Sequence, residues 1–399
     1  MHSSGKRYSS ALGVLSNLQK CFWFLISWKW INGKASLETK DTSKAVLRLT
    51  SGSDATLIEE PRIDPQGLCR TLGVQLSPSG DSSQGVKLMM DELLQFSASI
   101  TRSTFSMEES ITAYVQHILP KLRFKLPTLS VTKEECNKLS SIILKAVLPK
   151  LHINRNTACS IVYGPHDLGG MGLPNIYTIQ GIDKVHLFLG HLCFNDKTGI
   201  LIQIALVIVQ LLLGAPHLFL SMDRQHYKWF EGDWLTSLWD FTLDAKLTFK
   251  LPCMWLPTNP RENDIFLMEY FQTSRLSPKL MEHLNQCRLY LQVITLADIV
   301  SADGRRILPE AKVGLGVPNC TSNLEWPKQG KPGKVSWQQW SHHLSFLETV
   351  GKLTTPLGKW VKTHHQQWQL WAEPSSTVTY RLQSAHIMRI LPMVQEAPK

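Results

Sequence analysis

Lys121, Arg123 and Lys125 stand at alternate positions in the segment Pro120-Lys-Leu-Arg-Phe-Lys125. Three cations so spaced can neutralise successive phosphates of a nucleic-acid backbone without reading a base. The surrounding stretch, residues 120–155, holds eight basic and two acidic residues, a net +6. The competing reading is a solvated basic loop. Other combinations offer less chemistry. Gly169-Gly-Met-Gly-Leu-Pro174 follows Ser160-Ile-Val-Tyr163, which reads as a strand, and so touches the glycine pattern of a dinucleotide site. Pro174 falls where the phosphate-binding helix would begin its second turn, which argues against that use. His342-His343 and His364-His365, with Cys320, could bind a metal, but no ligand spacing supports it, and surface histidines are expected. There is no Gly-x-Ser-x-Gly, no His-Glu-x-x-His and no phosphate-binding loop. No two aspartates are adjacent, and two-metal phosphoryl transfer needs clustered carboxylates. Asp233 and Asp240 could meet in space, but nothing in the pattern marks them. The expectation is a chain without a metal or another cofactor.

The composition sets the class of partner. The chain has 399 residues, 43% hydrophobic and 19% charged, which excludes a wholly disordered protein. Forty-two Lys and Arg against 32 Asp and Glu leave a net +10, which favours a polyanion. The excess is uneven: residues 1–34 carry +5 and residues 328–399 carry +6, whereas residues 223–270 carry −3. Eight widely spaced cysteines with no Cys-x-x-Cys argue against a zinc ribbon and for reduced thiols in an intracellular compartment. Cys21–Trp28 is apolar but lacks a cleavage site behind it. Ile200–Gly214 contains Gln203 and Gln210 and falls short of the ~20 apolar residues a span needs, so it reads as a buried helix with no membrane role.

The elements that must position the cations are mainly helical. Residues 35–66 read as a polar insertion. Arg70–Leu76 alternates around Gly73 and enters the turn Ser77-Pro-Ser-Gly-Asp81, which predicts a strand. Val86, Met89, Met90, Leu93 and Leu94 share one helical face. Ser106 with Glu109, and Thr132 with Glu135, are capping boxes for two further helices, ended by Pro120 and Pro149. Lys133, Lys138 and Lys145 fall away from the apolar face of the second. Helices follow at 178–194 and 198–213. Ser277-Pro278 opens another, and Asp303-Gly304 suggests a small hairpin between 290–300 and 305–308. Six of the thirteen Trp residues lie between Trp326 and Trp371. Short strands are expected near 20–31, 70–76 and 290–308.

Five segments carry a resemblance. Ser16-Asn-Leu-Gln-Lys-Cys-Phe22 and Arg70-Thr-Leu-Gly-Val-Gln-Leu76 resemble the last two palm motifs of non-LTR retrotransposon reverse transcriptases. Tyr163-Gly-Pro-His-Asp-Leu-Gly-Gly-Met-Gly-Leu-Pro-Asn175 resembles the segment that follows their thumb. Cys287-Arg-Leu-Tyr-Leu-Gln292 and the Trp-rich tail, including Trp368-Gln-Leu-Trp371, also look like parts of retroelement open reading frames. The resemblance implies that Lys20 matches a general-acid lysine and Asn17 its neighbour. It implies that Leu72, Gly73 and Val74 bring backbone near a primer end. The family's aspartate pair and fingers are missing, and its magnesium ligands with them.

The fold class expected is therefore mainly α with a few short β-hairpins: a helical thumb-like bundle followed by a helical connection region. The expected division is a palm remnant at 1–83, a thumb-like domain at 84–222, a connection at 223–324 and a basic Trp-rich tail at 325–399. The function expected is that of a non-catalytic C-terminal reverse-transcriptase fragment. Its partner would be an RNA or DNA backbone, bound weakly and without sequence preference. The alternative is a helical protein-interaction module, suggested by the acidic, Trp-bearing stretch 229–255, since Trp anchors are typical of interfaces.

Overall fold

The computed structural model describes residues 22–390 apart from 32–33, 42–43, 52–55, 72, 195, 231–233, 252–260, 275, 302–303, 315–329, 359–367, 373–378 and 384–385, with residues 368–390 described by their backbone alone. The chain is mainly α with a few short antiparallel strands. It divides into two compact units, with the boundary between Gln180 and Gly181.

Unit 1 begins with three small hairpins: β1 (Trp28–Ile31) with β2 (Lys34–Leu37), β3 (Arg48–Ser51) with β4 (Thr56–Glu59), and β5 (Cys69–Thr71) with β6 (Val74–Leu76). The polar stretch 35–66 thus holds the β3–β4 hairpin and most of β2. A helical bundle follows: α1 (Ser83–Arg102), α2 (Met107–Thr112), α3 (Leu119–Lys125) and α4 (Lys133–Lys150). Val86, Met89 and Leu93 of α1 meet Cys136, Leu139, Ile143 and Val147 of α4 in one buried cluster, which Val74 of β6 joins. Both capping boxes form: Ser106 Oγ accepts from the Glu109 amide, and Thr132 Oγ1 from that of Glu135.

The two expected proline stops differ in outcome. Pro149 lies in the last turn of α4, which ends one residue later at Lys150, whereas Pro120 ends no helix. Between α2 and α3 the backbone widens into a π turn, Ala113–Ile118, and the Leu119 amide bonds to the Tyr114 carbonyl five residues back. The helix then passes straight through Pro120. Proline has no N–H to donate and its ring crowds the preceding turn, and a widened turn absorbs both. The buried positions here, Ser110, Tyr114, Ile118, Leu122 and Leu126, recur every four residues. An α-helix drifts by about 40° over each such step, and the wider turn takes up part of that drift, keeping the row on the core.

Short α5 (Cys159–Tyr163) occupies the place expected for a strand. Glycines explain the difference. The chain folds back on itself, the Met171 amide bonding to the Ile161 carbonyl and the Gly172 amide to that of Gly164 at 2.7 Å. α6 (Ile176–Phe194) then begins, its first residue buried in the unit 1 core.

Unit 2 contains the rest of α6, α7 (Lys197–Leu213), α8 (Trp234–Asp244), α9 (Leu267–Thr273), α10 (Pro278–Leu291), α11 (Pro309–Val313) and α12 (Lys334–Thr349). A three-stranded antiparallel sheet follows, ordered β7 (Trp368–Ala372), β8 (Thr379–Gln383), β9 (His386–Ile390). The hairpin expected at 290–308 reduces to a single bridge between Val300 and Ile307, because α10 continues through Leu291. The expected buried helix at 200–214 is only half-buried. Leu206, Val209 and Leu213 enter the core, while Ile200, Leu201, Ile204 and Ile208 are exposed. Among the described residues no single helix is long and apolar enough to cross a membrane, although α6 and α7 pass that test together as a pair bent by 107°.

Arg288, in the Cys-Arg-Leu-Tyr-Leu-Gln segment, is fully buried. It donates to the Leu211 and Leu212 carbonyls at 2.7 and 2.8 Å, to the Val293 carbonyl at 3.1 Å and to Asn285 Oδ1 at 2.8 Å. The carbonyls at a helix C-terminus have no partner within the helix, and a guanidinium supplies several donors at once. Nearby, buried Asp264 accepts from the Ile265 and Ala297 amides at 2.8 and 3.0 Å. Burial, reinforced by the charge of Asp298, pushes its carboxyl up to about 7.

Because Asp264 is easier to protonate folded than unfolded, the native state carries a cost that is full above pH 7 and fades as pH falls towards 4. Asp264→Asn removes that cost while keeping the acceptor oxygen. In urea melts, the variant is expected to gain stability over the wild type at pH 8 and to lose that advantage by pH 5.

Candidate nucleic-acid interface

Lys121, Arg123 and Lys125 lie on a helix, not on a loop, and this regroups them. At about 100° per residue, Lys121 and Lys125 share a face, while Arg123 points well away from both. The shared face forms one wall of an open groove of about 690 Å³, lined also by His117, Pro120 and Phe124 and, from α1, by Glu92, Gln95, Phe96 and Ser99. Lys121 Nζ lies 3.4 Å from His117 Nε2. Lys125 Nζ lies 2.7 Å from both carboxylate oxygens of Glu92, whose side chain is 52% exposed. The Lys125 side chain is 20% exposed, so the pair is open to solvent mainly on its carboxylate side.

Phe124 is 59% exposed on the rim of this groove. The β5–β6 turn comes up beside it. A methyl group placed on Gly73 would sit 3.8 Å from the Phe124 ring. Gly73 has φ +87°, a conformation that glycine adopts at no steric cost. The structure therefore brings the Gly73 turn and the basic helix together. Val74 is different: its side chain is buried in the core, so only its backbone could face a ligand. Leu72, Asn17 and Lys20 lie outside the described residues.

Sequence reading missed Glu92, which lies 33 residues from Lys125 and is joined to it only by the packing of the bundle. It also missed Phe124. The available signal was an aromatic residue flanked by cations on both sides.

The remaining motifs have structural explanations. Gly170 packs against Gly164 so closely that a Cβ would lie 2.2 Å from the Gly164 carbonyl oxygen. The glycine-rich segment is thus a close backbone crossing and not a phosphate cradle. Trp239, from the stretch expected to anchor a partner, is fully buried and donates to the Met222 carbonyl at 2.9 Å, while Trp255 lies outside the described residues. Asp240 pairs with Arg224 at 3.2 Å, and Asp233 lies outside the described residues. His342 and His343 meet edge to face with ring centres 5.4 Å apart, whereas His364, His365 and Cys320 lie outside the described residues. Among the described residues no group of three or more His, Cys, Asp or Glu is placed to hold a metal ion.

Gly170→Ala is expected to destabilise unit 1 by several kcal/mol, because the added methyl meets backbone that has no room to move. Thermal unfolding followed by circular dichroism checks this.

No family model matches the chain. Over 84 residues it is 26% identical to the Retrovirus-related Pol polyprotein from type-1 retrotransposable element R2 of Popillia japonica. The match covers 21% of this chain and 19% of that protein, so the chain spans about a fifth of the length of the curated relative it matches. The similarity supports a retrotransposon-related origin for this protein.

Proposed function

We propose that this chain is a non-catalytic module of reverse-transcriptase descent, a thumb and connection region, that binds nucleic-acid backbones weakly and without sequence preference. One observation carries the reading: Lys121 and Lys125 stand on one helical face, along an open groove, beside the Gly73 turn. In the resemblance, a turn of this kind approaches a primer end and helices of this kind grip a duplex. The likeness to a retrotransposon Pol polyprotein agrees with that descent. Binding of this type is driven by release of counterions and needs no base-specific contact.

A second reading has one observation in its favour. Ile200, Leu201, Ile204 and Ile208 form an exposed apolar stripe on α7, as in a protein-interaction module.

Replacing Lys121, Arg123 and Lys125 together with Ala is expected to weaken binding to all sequences alike and to flatten the log–log salt dependence by up to about 2, the share of the two lysines that line the groove. Glu92→Gln is expected to do the reverse, steepening the dependence by up to about 1 as Lys125 is released. Filter binding at several salt concentrations measures both. Superimposable curves for the wild type and the triple variant would exclude α3 as the contact. The isolated chain is also expected to give no primer extension with template, Mg²⁺ and nucleotides, because its sequence offers no clustered aspartates for two metals.

A further inference from the structure

We propose that the groove between α1 and α3 takes single-stranded nucleic acid, with an unpaired base stacked on Phe124. This rests on the backbone-binding reading above and adds the class of ligand.

The first observation is the ring itself. Phe124 is 59% exposed, and it stands between the groove-lining cations Lys121 and Lys125. A ring in that position gains nothing from a duplex, whose bases are already stacked inside it. It gains a contact with any base that is free, because every base has a π face. The second is the floor. Phe96 lines the same groove and is packed against the core, so the space beside the cations is partly aromatic. The third is position. The Gly73 turn lies beside the Phe124 ring, with room between them for a methyl group on Gly73. At about 690 Å³ the groove falls in the size range of small-ligand sites, which suits a nucleotide or two better than a helix.

The test uses the full chain and three fluorescein-labelled probes with equal numbers of phosphates: an oligodeoxyadenosine strand, a blunt duplex hairpin, and a strand of abasic residues. Fluorescence anisotropy gives the affinity of each. Phe124→Ala is expected to weaken the adenosine strand about 5- to 150-fold and to leave the duplex, the abasic strand and the salt dependence unchanged. Phe124→Tyr, which keeps the ring, restores the affinity and guards against a folding defect. Equal losses on all three probes, or no loss on the adenosine strand, would overturn the proposal. If Phe124→Ala has no selective effect but loss of Lys121 and Lys125 weakens all three probes, the backbone-binding reading stands and only the stacking proposal fails. If the wild type binds none of the probes, both fail.

Discussion

The second wall of the groove depends on how one proline is carried. Pro120 lies in the middle of a long helical run, where its missing N–H and its ring would ordinarily break the helix. The π turn before it changes the outcome. It lets the helix continue and keeps a four-residue apolar row against the core. With Leu122 and Leu126 held inward, Lys121, Phe124 and Lys125 are left along the groove. A helix that stopped at Pro120 would leave those side chains on a loop, with no fixed relation to Glu92 or to the Gly73 turn. The packing of α1 on α4 fixes the opposite wall, and Ser97 Oγ bonding to the Ile142 carbonyl at 3.1 Å helps to hold those two helices together.

A related economy governs unit 2, where buried charge serves the backbone. Arg288 satisfies the C-terminal carbonyls of α7. Arg261 donates to the Ser301, Leu357 and Gly358 carbonyls, which ties two distant loops to one side chain. A buried cation stripped of such partners is costly, so these arginines are bound up with the fold itself. They also show why a positive net charge is a poor guide to a binding surface: some of the cations never face solvent.

Much of the fold is legible in the sequence. The capping boxes at Ser106 and Thr132 mark real helix starts, and the apolar face of Val86, Met89 and Leu93 does pack inward. Ser277 caps α10 as its spacing implies. What is not legible involves partners distant in the chain or rare local geometry. A proline stop and a π turn look alike in sequence. Ser160–Tyr163 has strand-like residues but is drawn into a helix by the glycine crossing that follows it. The exposed stripe on α7 carries the same residue types as its buried face, so composition alone marks both as core. At the candidate site, the cations are visible in the sequence. Their grouping is not, because it depends on helical spacing and on Glu92, which only the bundle brings near.

Nucleic acid held in the groove between α1 and α3 is detected by photo-crosslinking of the full chain to a strand carrying 4-thiouridine, with the modified peptides mapped by mass spectrometry. Crosslinks are expected to concentrate in 92–99 and 117–125, the two segments that line the groove. Crosslinks confined to other basic segments, such as 145–155 or 331–352, would contradict that placement.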